Sequence, residues 1–248
     1  MSLPTVATRG EWLAARRELL AREKEATRLK DELNTQRRNL PMVRLEKEYA
    51  FEGSEGTVGL IDLFAGQRQL VLQHFMFDPT WEDGCGSCSA GVDELSDGLF
   101  DHLRARNTNY AIVARAPLPK IEAYRAKRGW SVPIYSSFGS DFNYDFHVTI
   151  DASVTPVEFN FRDAGELDAA GFGWLLKTDE HPREQPGLSC FLRVGDDIFH
   201  TYSTFARGTE QAGDAYGILD MTALGRQEEW EEPKGRSDIA REAVPDFS

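Results

Sequence analysis

Apolar residues recur every seven positions at the start of the chain, at Trp12, Leu19, Ala26, Leu33 and Leu40. Leu13, Leu20 and Leu29 widen this stripe into one helical face. Thr8-Arg9-Gly10-Glu11 ahead of it fits a capping box, with Thr8 as N-cap and Glu11 reaching back from the third helical position. Pro41 stops the run, so one long helix is expected from Arg9 to about Asn39. At roughly 1.5 Å per residue it spans about 45 Å, longer than a compact domain of this size needs. The stripe can pack along its own domain or against a second copy of the chain, as an isologous dimer allows. The surplus length favours a subunit or domain boundary, with Trp12, Leu19, Leu20 and Leu33 at the contact. Arginines at the intervening positions argue against a long free coiled coil.

The period then shortens. Val43 to Phe51 is extended, Glu52-Gly53-Ser54-Glu55-Gly56 is a turn, and Thr57 to Leu60 pairs back as a hairpin. Ile61 to Phe64 reads as a short helix. Leu70 to Phe77 is apolar enough for a central strand buried on both faces, ended by Asp78-Pro79. Beyond a loop, Val92, Leu95, Leu99 and Leu103 keep helical spacing, giving one helix from Ser89 to about Arg106. Tyr110–Val113 is a strand, Leu118–Arg128 a helix and Val132–Tyr135 a third strand. This alternation implies parallel pairing in an α/β sheet. Ser140 to Phe146 is a short helix or loop, and Thr149 to Gly173 reads as an insertion. Leu188–Val194 and Ile198–Tyr202 flank Gly195-Asp196-Asp197 as a hairpin, and Gln211–Leu219 is a closing helix. Three regions result: a helical extension (1–41), a main domain (42–225), and an acidic, loosely attached tail (226–248) with Pro233 and Pro245.

Composition narrows the function. The 248 residues are 41% apolar and 28% charged, with a net charge of −13. The charge is uneven, net +3 from Arg9 to Glu48 and net −16 elsewhere, so the main body is a poor match for nucleic acid. No secretory leader and no membrane-length apolar run are evident, so a cytoplasmic protein without a membrane partner is expected. In that compartment a pair of close cysteines is more often catalytic than a permanent staple.

Such a pair is present as Cys85-Gly86-Ser87-Cys88, between a strand and a helix. A thiol at a helix N-terminus faces free N–H groups and the positive end of the dipole, which favour thiolate. Spacing of two residues lets one turn close a disulfide, so Cys85 attacks and Cys88 resolves. Glu82, Asp83, Asp93 and Glu94 are close in sequence and work against a thiolate. A reducing or slow redox role therefore fits better than a strongly oxidising one. The alternative, half of a zinc site, needs a second ligand pair. Cys190 stands alone and His74, His102, His147, His181 and His200 are scattered, so neither a metal nor another cofactor is expected. Cys190 fits a buried, inert thiol. His74, Tyr135 and Tyr202 fit core packing, with a proton shuttle or a donor to substrate as the sharper reading of each.

EWLAARRELLAREKE, YAFEGSEGTVGLIDLF, HFMFDPTWEDGCGSCS, GWSVPIYSSFGSDFN and FLRVGDDIFHTYSTFARG closely resemble the bacterial DUF899 family, nearly to Gly225. The resemblance implies a thioredoxin-like fold with a peroxiredoxin-like lead-in and a dithiol–disulfide oxidoreductase activity. It also implies a protein or small-molecule thiol or disulfide as partner. In thioredoxins a tryptophan precedes the pair and a cis-proline faces it from just before the hairpin. Trp81 stands four residues upstream of Cys85. Aligning the hairpin turn puts Gly187 at the proline's place, with Pro186 one residue early. Trp81, Pro186 and Gly187 are thus the substrate-positioning candidates. Peroxiredoxins place a Thr or Ser three residues before the attacking cysteine. Here that residue is Glu82, with Pro79 and Thr80 further upstream, which makes a thiol peroxidase the weaker alternative. A redox-inactive binding or assembly protein on the same scaffold is the third reading.

Overall fold

The computed structural model describes residues 5–180 and 182–236, so His181 and the last twelve residues of the expected tail lie outside the described residues. Helix α1 (Arg9–Arg38) starts where the capping box places it. The Glu11 N–H donates to Thr8 Oγ1 at 3.3 Å, and the Thr8 N–H donates to Glu11 Oε2 at 2.8 Å. Along α1 only Asn34 and Arg38 are buried. Trp12, Leu19 and Leu33 are 49%, 52% and 48% exposed. Packing of the stripe along its own domain is therefore overturned. Among the described residues the helix is tied down through its C-terminal third: Lys30 pairs with Asp220 at 3.5 Å, Arg38 pairs with Glu231 at 3.0 Å, and Arg37 donates to the Asp220 carbonyl at 3.1 Å.

After α1 come β1 (Val43–Arg44), the hairpin of β2 (Ala50–Gly53) and β3 (Gly56–Gly59), and a single turn at Asp62–Phe64 leading into β4 (Gln69–Phe75). Next are α2 (Gly86–Asp93), α3 (Asp97–Arg104), β5 (Thr108–Ala114), α4 (Leu118–Arg128), β6 (Ile134–Ser136) and α5 (Phe142–Asp145). The expected insertion holds β7 (Thr149–Ile150), β8 (Glu158–Phe159), β9 (Arg162–Asp163) and α6 (Ala164–Ala169), and β10 (Arg183–Glu184) lies beyond it. There β7 pairs with β10 and β8 with β9, apart from the main sheet. The hairpin of β11 (Gly187–Val194) and β12 (Asp197–Phe205) follows, then α7 (Ala215–Leu219).

The main sheet runs β1-β12-β11-β4-β5-β6-β2-β3. Strands β4, β5 and β6 are parallel, and β11 is antiparallel to β4. The order β5-β4-β11-β12, with helices after β4 and after β12, is the thioredoxin-like core expected from the sequence. The β2–β3 hairpin extends it beyond β6. Alternation along β4 explains its unbroken apolar run. Leu70 and Leu72 join a cluster with Phe64, Phe142, Phe146 and Phe191, whereas Val71 and Phe75 face clusters under the helices. Both faces are covered, so each methylene buried contributes about 0.8 kcal/mol.

Two expectations are corrected. The helix expected over 89–106 is two helices, because Ser96 Oγ accepts from the Leu99 N–H at 3.2 Å and caps α3 afresh. The expected loose tail is packed at its start, where Gln227, Glu228 and Glu231 are buried beneath Arg38 and Arg106. Among the described residues no helix is long and apolar enough to cross a membrane.

Candidate active site

Strand β4 ends at Phe75, and the loop that follows is pinned from below. Asp78 is buried, accepts from Thr80 N–H and Oγ1 at 2.8 and 2.6 Å, and pairs with Arg115. Arg115 also donates to Glu184 Oε1 at 2.6 Å, and Thr149 donates to the same carboxylate at 3.0 Å. Burial raises the Glu184 carboxyl above its usual range, against the opposing pull of Arg115. The loop then turns back, and the Cys85 N–H donates to the Met76 carbonyl at 2.9 Å. Glycine is required just before this contact. A Cβ on Gly84 would sit 2.5 Å from Phe75 Cε1 and 3.0 Å from Tyr124 Cε1.

Cys85 is the N-cap residue of α2, half-buried, and Cys88 lies one turn on, 8% exposed. The Ser89 N–H and Oγ both donate to the Cys85 carbonyl, at 2.9 and 2.8 Å. With its own proton so committed, Ser89 Oγ accepts from Tyr124 OH at 2.9 Å. This clamp fixes the first turn of α2 against α4. Burial pushes the Cys88 thiol up to about 12, and the neighbouring Cys85 adds to the rise. Both cysteines are free thiols. Of the four carboxylates close in sequence, two are spoken for: Asp83 pairs with Lys127 at 2.6 Å, and Asp93 accepts from Trp130 Nε1 at 2.8 Å and pairs with Arg128. Their effect on the pair is weaker than the sequence spacing suggests.

The two thiols open into a groove of about 650 Å³ that is also lined by His74, Tyr110, Pro186 and Gly187. Register explains the meeting, since Gly187 opens β11 directly opposite His74 on β4. The structure thus brings Pro186 and Gly187 to the pair. Among the described residues the cis peptide is Glu232–Pro233, so Pro186 lacks the cis bond of the thioredoxin proline. Trp81 does not line the groove. It packs beside Cys85 against the Phe75 and Phe77 cluster. Tyr135 packs on the opposite cluster, and Tyr202 lies under Arg37 at 4.9 Å. Cys190 is buried in mid-strand, and burial pushes its thiol up to about 12. Among the described residues no three His, Cys, Asp or Glu side chains converge as a metal site needs.

Sequence reasoning missed a polar chain under the groove. His74 Nε2 meets Ser189 Oγ at 2.8 Å, Ser189 Oγ meets Ser203 Oγ at 2.8 Å, and His200 Nε2 meets Ser203 Oγ at 2.7 Å. The signal available was polar residues set inside apolar strands, Ser189 in LSCFL above all.

Solved structures offer partial likenesses. A cysteine-to-serine mutant of PrxQ from Xylella fastidiosa is 14% identical, with 66% of this chain and 85% of that one covered and a TM-score of 0.41. A candidate thiol:disulfide interchange protein DsbE from Chlorobium tepidum is 13% identical, covering 70% and 92%, with a TM-score of 0.37. A candidate protein disulfide isomerase from Bacteroides thetaiotaomicron is 20% identical over 42% of this chain, which spans 65% of its length, with a TM-score of 0.31. The fold assignment rests on strand order and register rather than on these likenesses. No curated protein matches the chain. The family model described as a bacterial protein of unknown function, DUF899, matches residues 1–242, and the chain belongs to that family.

Proposed function

We propose that the protein is a thiol–disulfide oxidoreductase acting through Cys85 and Cys88. One observation carries the reading: a half-exposed thiol at a helix start with a buried thiol one turn on, both opening into one groove. Cys85 thiolate attacks one sulfur of a substrate disulfide, forming a mixed disulfide and releasing the other sulfur as a thiolate that takes up a proton. Cys88 then loses its proton and attacks Cys85 Sγ. The Cys85–Cys88 disulfide forms and the second substrate thiolate leaves. The substrate gains two electrons and two protons, and a dithiol reductant restores the pair. A resolving thiol held at about 12 supports the reducing direction, because little stabilisation of the thiolate form makes the disulfide a weak oxidant.

Reduction of hydroxyethyl disulfide by the Cys85→Ser and Cys88→Ser proteins tests this. The first should be inert and the second should accumulate the mixed disulfide. Turnover by Cys85→Ser would overturn the assignment. Peroxidase chemistry has less support, since the Thr80 hydroxyl donates to Asp78 at 2.6 Å. The exposed face of α1 supports a second copy of the chain as partner, meeting it at Trp12, Leu19, Leu20 and Leu33. Sedimentation of the full-length Leu19→Gln/Leu33→Gln protein should show monomer where the parent shows dimer. A monomeric parent at micromolar concentration would exclude the contact.

A further inference from the structure

The groove that begins at the two thiols continues past them, and its floor is apolar. Met76, Leu95, Leu99 and Tyr110 line it, each half-buried, packed on one side into the clusters under the helices. The polar groups of the floor are neutral and answer each other, since Tyr110 OH donates to Gln73 Oε1 at 2.9 Å. Gln73 shares its face of β4 with Val71 and Phe75, the face that carries the cysteine pair. Charge is confined to the rim. Glu94 is exposed there, and exposed Arg207 pairs with Glu210 at 3.1 Å.

Gly91 keeps this groove open along α2. Cys88, Gly91 and Leu95 follow at spacings of three and four residues, so they stand on one helical face. A Cβ on Gly91 would meet nothing within 4 Å, so the space over it is empty. Glycine weakens a helix interior, and no left-handed backbone asks for it at this position. What it leaves is room between the buried thiol and Leu95.

We propose that this groove seats an uncharged apolar arm of the disulfide being reduced, so that the substrate is a small neutral disulfide with an aliphatic or acyl substituent. The inference rests on the exchange reading and deepens it by naming the substrate class. The thiols stand in the same groove as the apolar floor, so an arm joined to the reacting sulfur reaches that floor within one molecule. A space of about 650 Å³, mostly apolar with a few polar groups, suits a small molecule. Disulfides bearing carboxylates are disfavoured, because Glu94 and a net charge of −13 oppose them.

The disulfides of N-acetyl-, N-butanoyl- and N-hexanoylcysteamine test this, since they differ only in the length of a neutral arm. Full burial of one methylene is worth about fourfold, so a half-open groove should favour hexanoyl over acetyl by about tenfold in kcat/KM. Gly91→Leu fills the empty space and should bring that ratio close to unity, whereas Gly91→Ala should keep most of it. Equal rates along the series, or a ratio that survives Gly91→Leu, overturn the proposal. Binding gives a reading independent of turnover. S-Methyl-N-hexanoylcysteamine cannot exchange, yet it should shift the backbone amide resonances of Gly91, Leu95 and Leu99 in the full-length protein. Unshifted amides overturn the proposal, and this spectrum decides the matter if Gly91→Leu fails to fold. Inertness toward all three disulfides would instead sink the exchange reading, with the amide shifts still deciding what the groove takes.

Discussion

Cys88 and Cys190 are both buried thiols, and burial pushes each up to about 12. Their surroundings nevertheless give them different chemistry. Cys190 sits in the middle of β11, opposite Val71 on β4 and packed with Leu188, Ile218 and Leu219. Cys88 sits in the first turn of α2, reaches Cys85 and opens into the groove. Burial makes both weak acids. The difference lies in what each can reach: Cys88 has a sulfur partner that meets solvent, and Cys190 has only side chains. An elevated thiol is therefore no marker of function by itself; the neighbouring half-exposed thiol is.

The sharpest way to break this comparison is to remove each sulfur in turn. Cys85→Ser should lower disulfide reduction by at least about a thousandfold, as loss of a nucleophile does. Cys190→Ala should change it by less than about twofold. Equal losses would mean that the two thiols belong to one site. Alkylation sharpens the same point. Iodoacetamide should label Cys85 first in the folded, reduced protein and Cys190 only on unfolding, read by peptide mass spectrometry. Early labelling of Cys190 would show that β11 opens on its own.

Much of this arrangement was legible in the sequence, for local reasons. The capping box at Thr8, the apolar run of β4 and the Cys-x-x-Cys pair are adjacent residues with periodic or short-range causes. The groove is harder to read, because it is made by register between strands far apart in sequence. Gly187 meets His74 only because β11 lies antiparallel on β4 in that alignment. The hairpin turn put Gly187 in the right place, but no periodicity reports that His74 faces it. Trp81 is the converse case: it stands close to Cys85 in sequence, yet beyond the turn at Asp78 it packs half-buried against the Phe75 and Phe77 cluster and does not line the groove. The break at Ser96 was readable as a capping residue, yet Leu95 and Leu99 carried the helical spacing straight across it.

Acid and alkali separate the buried groups by sign. His74 has its pKa lowered from 6.5 to about 3, so the folded state holds it neutral while the unfolded chain takes up a proton below 6.5. Its contribution is complete above pH 6.5 and is lost as pH falls toward 3, at about 1.4 kcal/mol per pH unit. His200 shifts in the same direction. Denaturant unfolding of His74→Phe should show a shallower acid decline, whatever its stability at pH 7. An equally steep decline would place the acid sensitivity elsewhere.

The thiols act at the other end of the scale, and here the comparison becomes quantitative. Cys88 and Cys190 are raised from 9.0 to about 12, so the unfolded chain loses these protons above pH 9 while the folded state keeps them. Each contribution is complete below pH 9 and is lost as pH rises toward 12. Buried Tyr110, also raised by burial, adds to the decline above pH 10. In the reduced protein, Cys190→Ala should cost about 1–2 kcal/mol at pH 7, the price of a small cavity in the β11 cluster. Its alkaline decline should be less steep by about 1.4 kcal/mol per pH unit between 9 and 12, because one proton fewer is released on unfolding. Cys88→Ala should flatten that decline by a similar amount while also abolishing resolution of the mixed disulfide. The two substitutions would then match in linkage and differ in chemistry. A decline unaltered by Cys190→Ala would show that this thiol is not held protonated by the fold, and the likeness between the two cysteines would disappear.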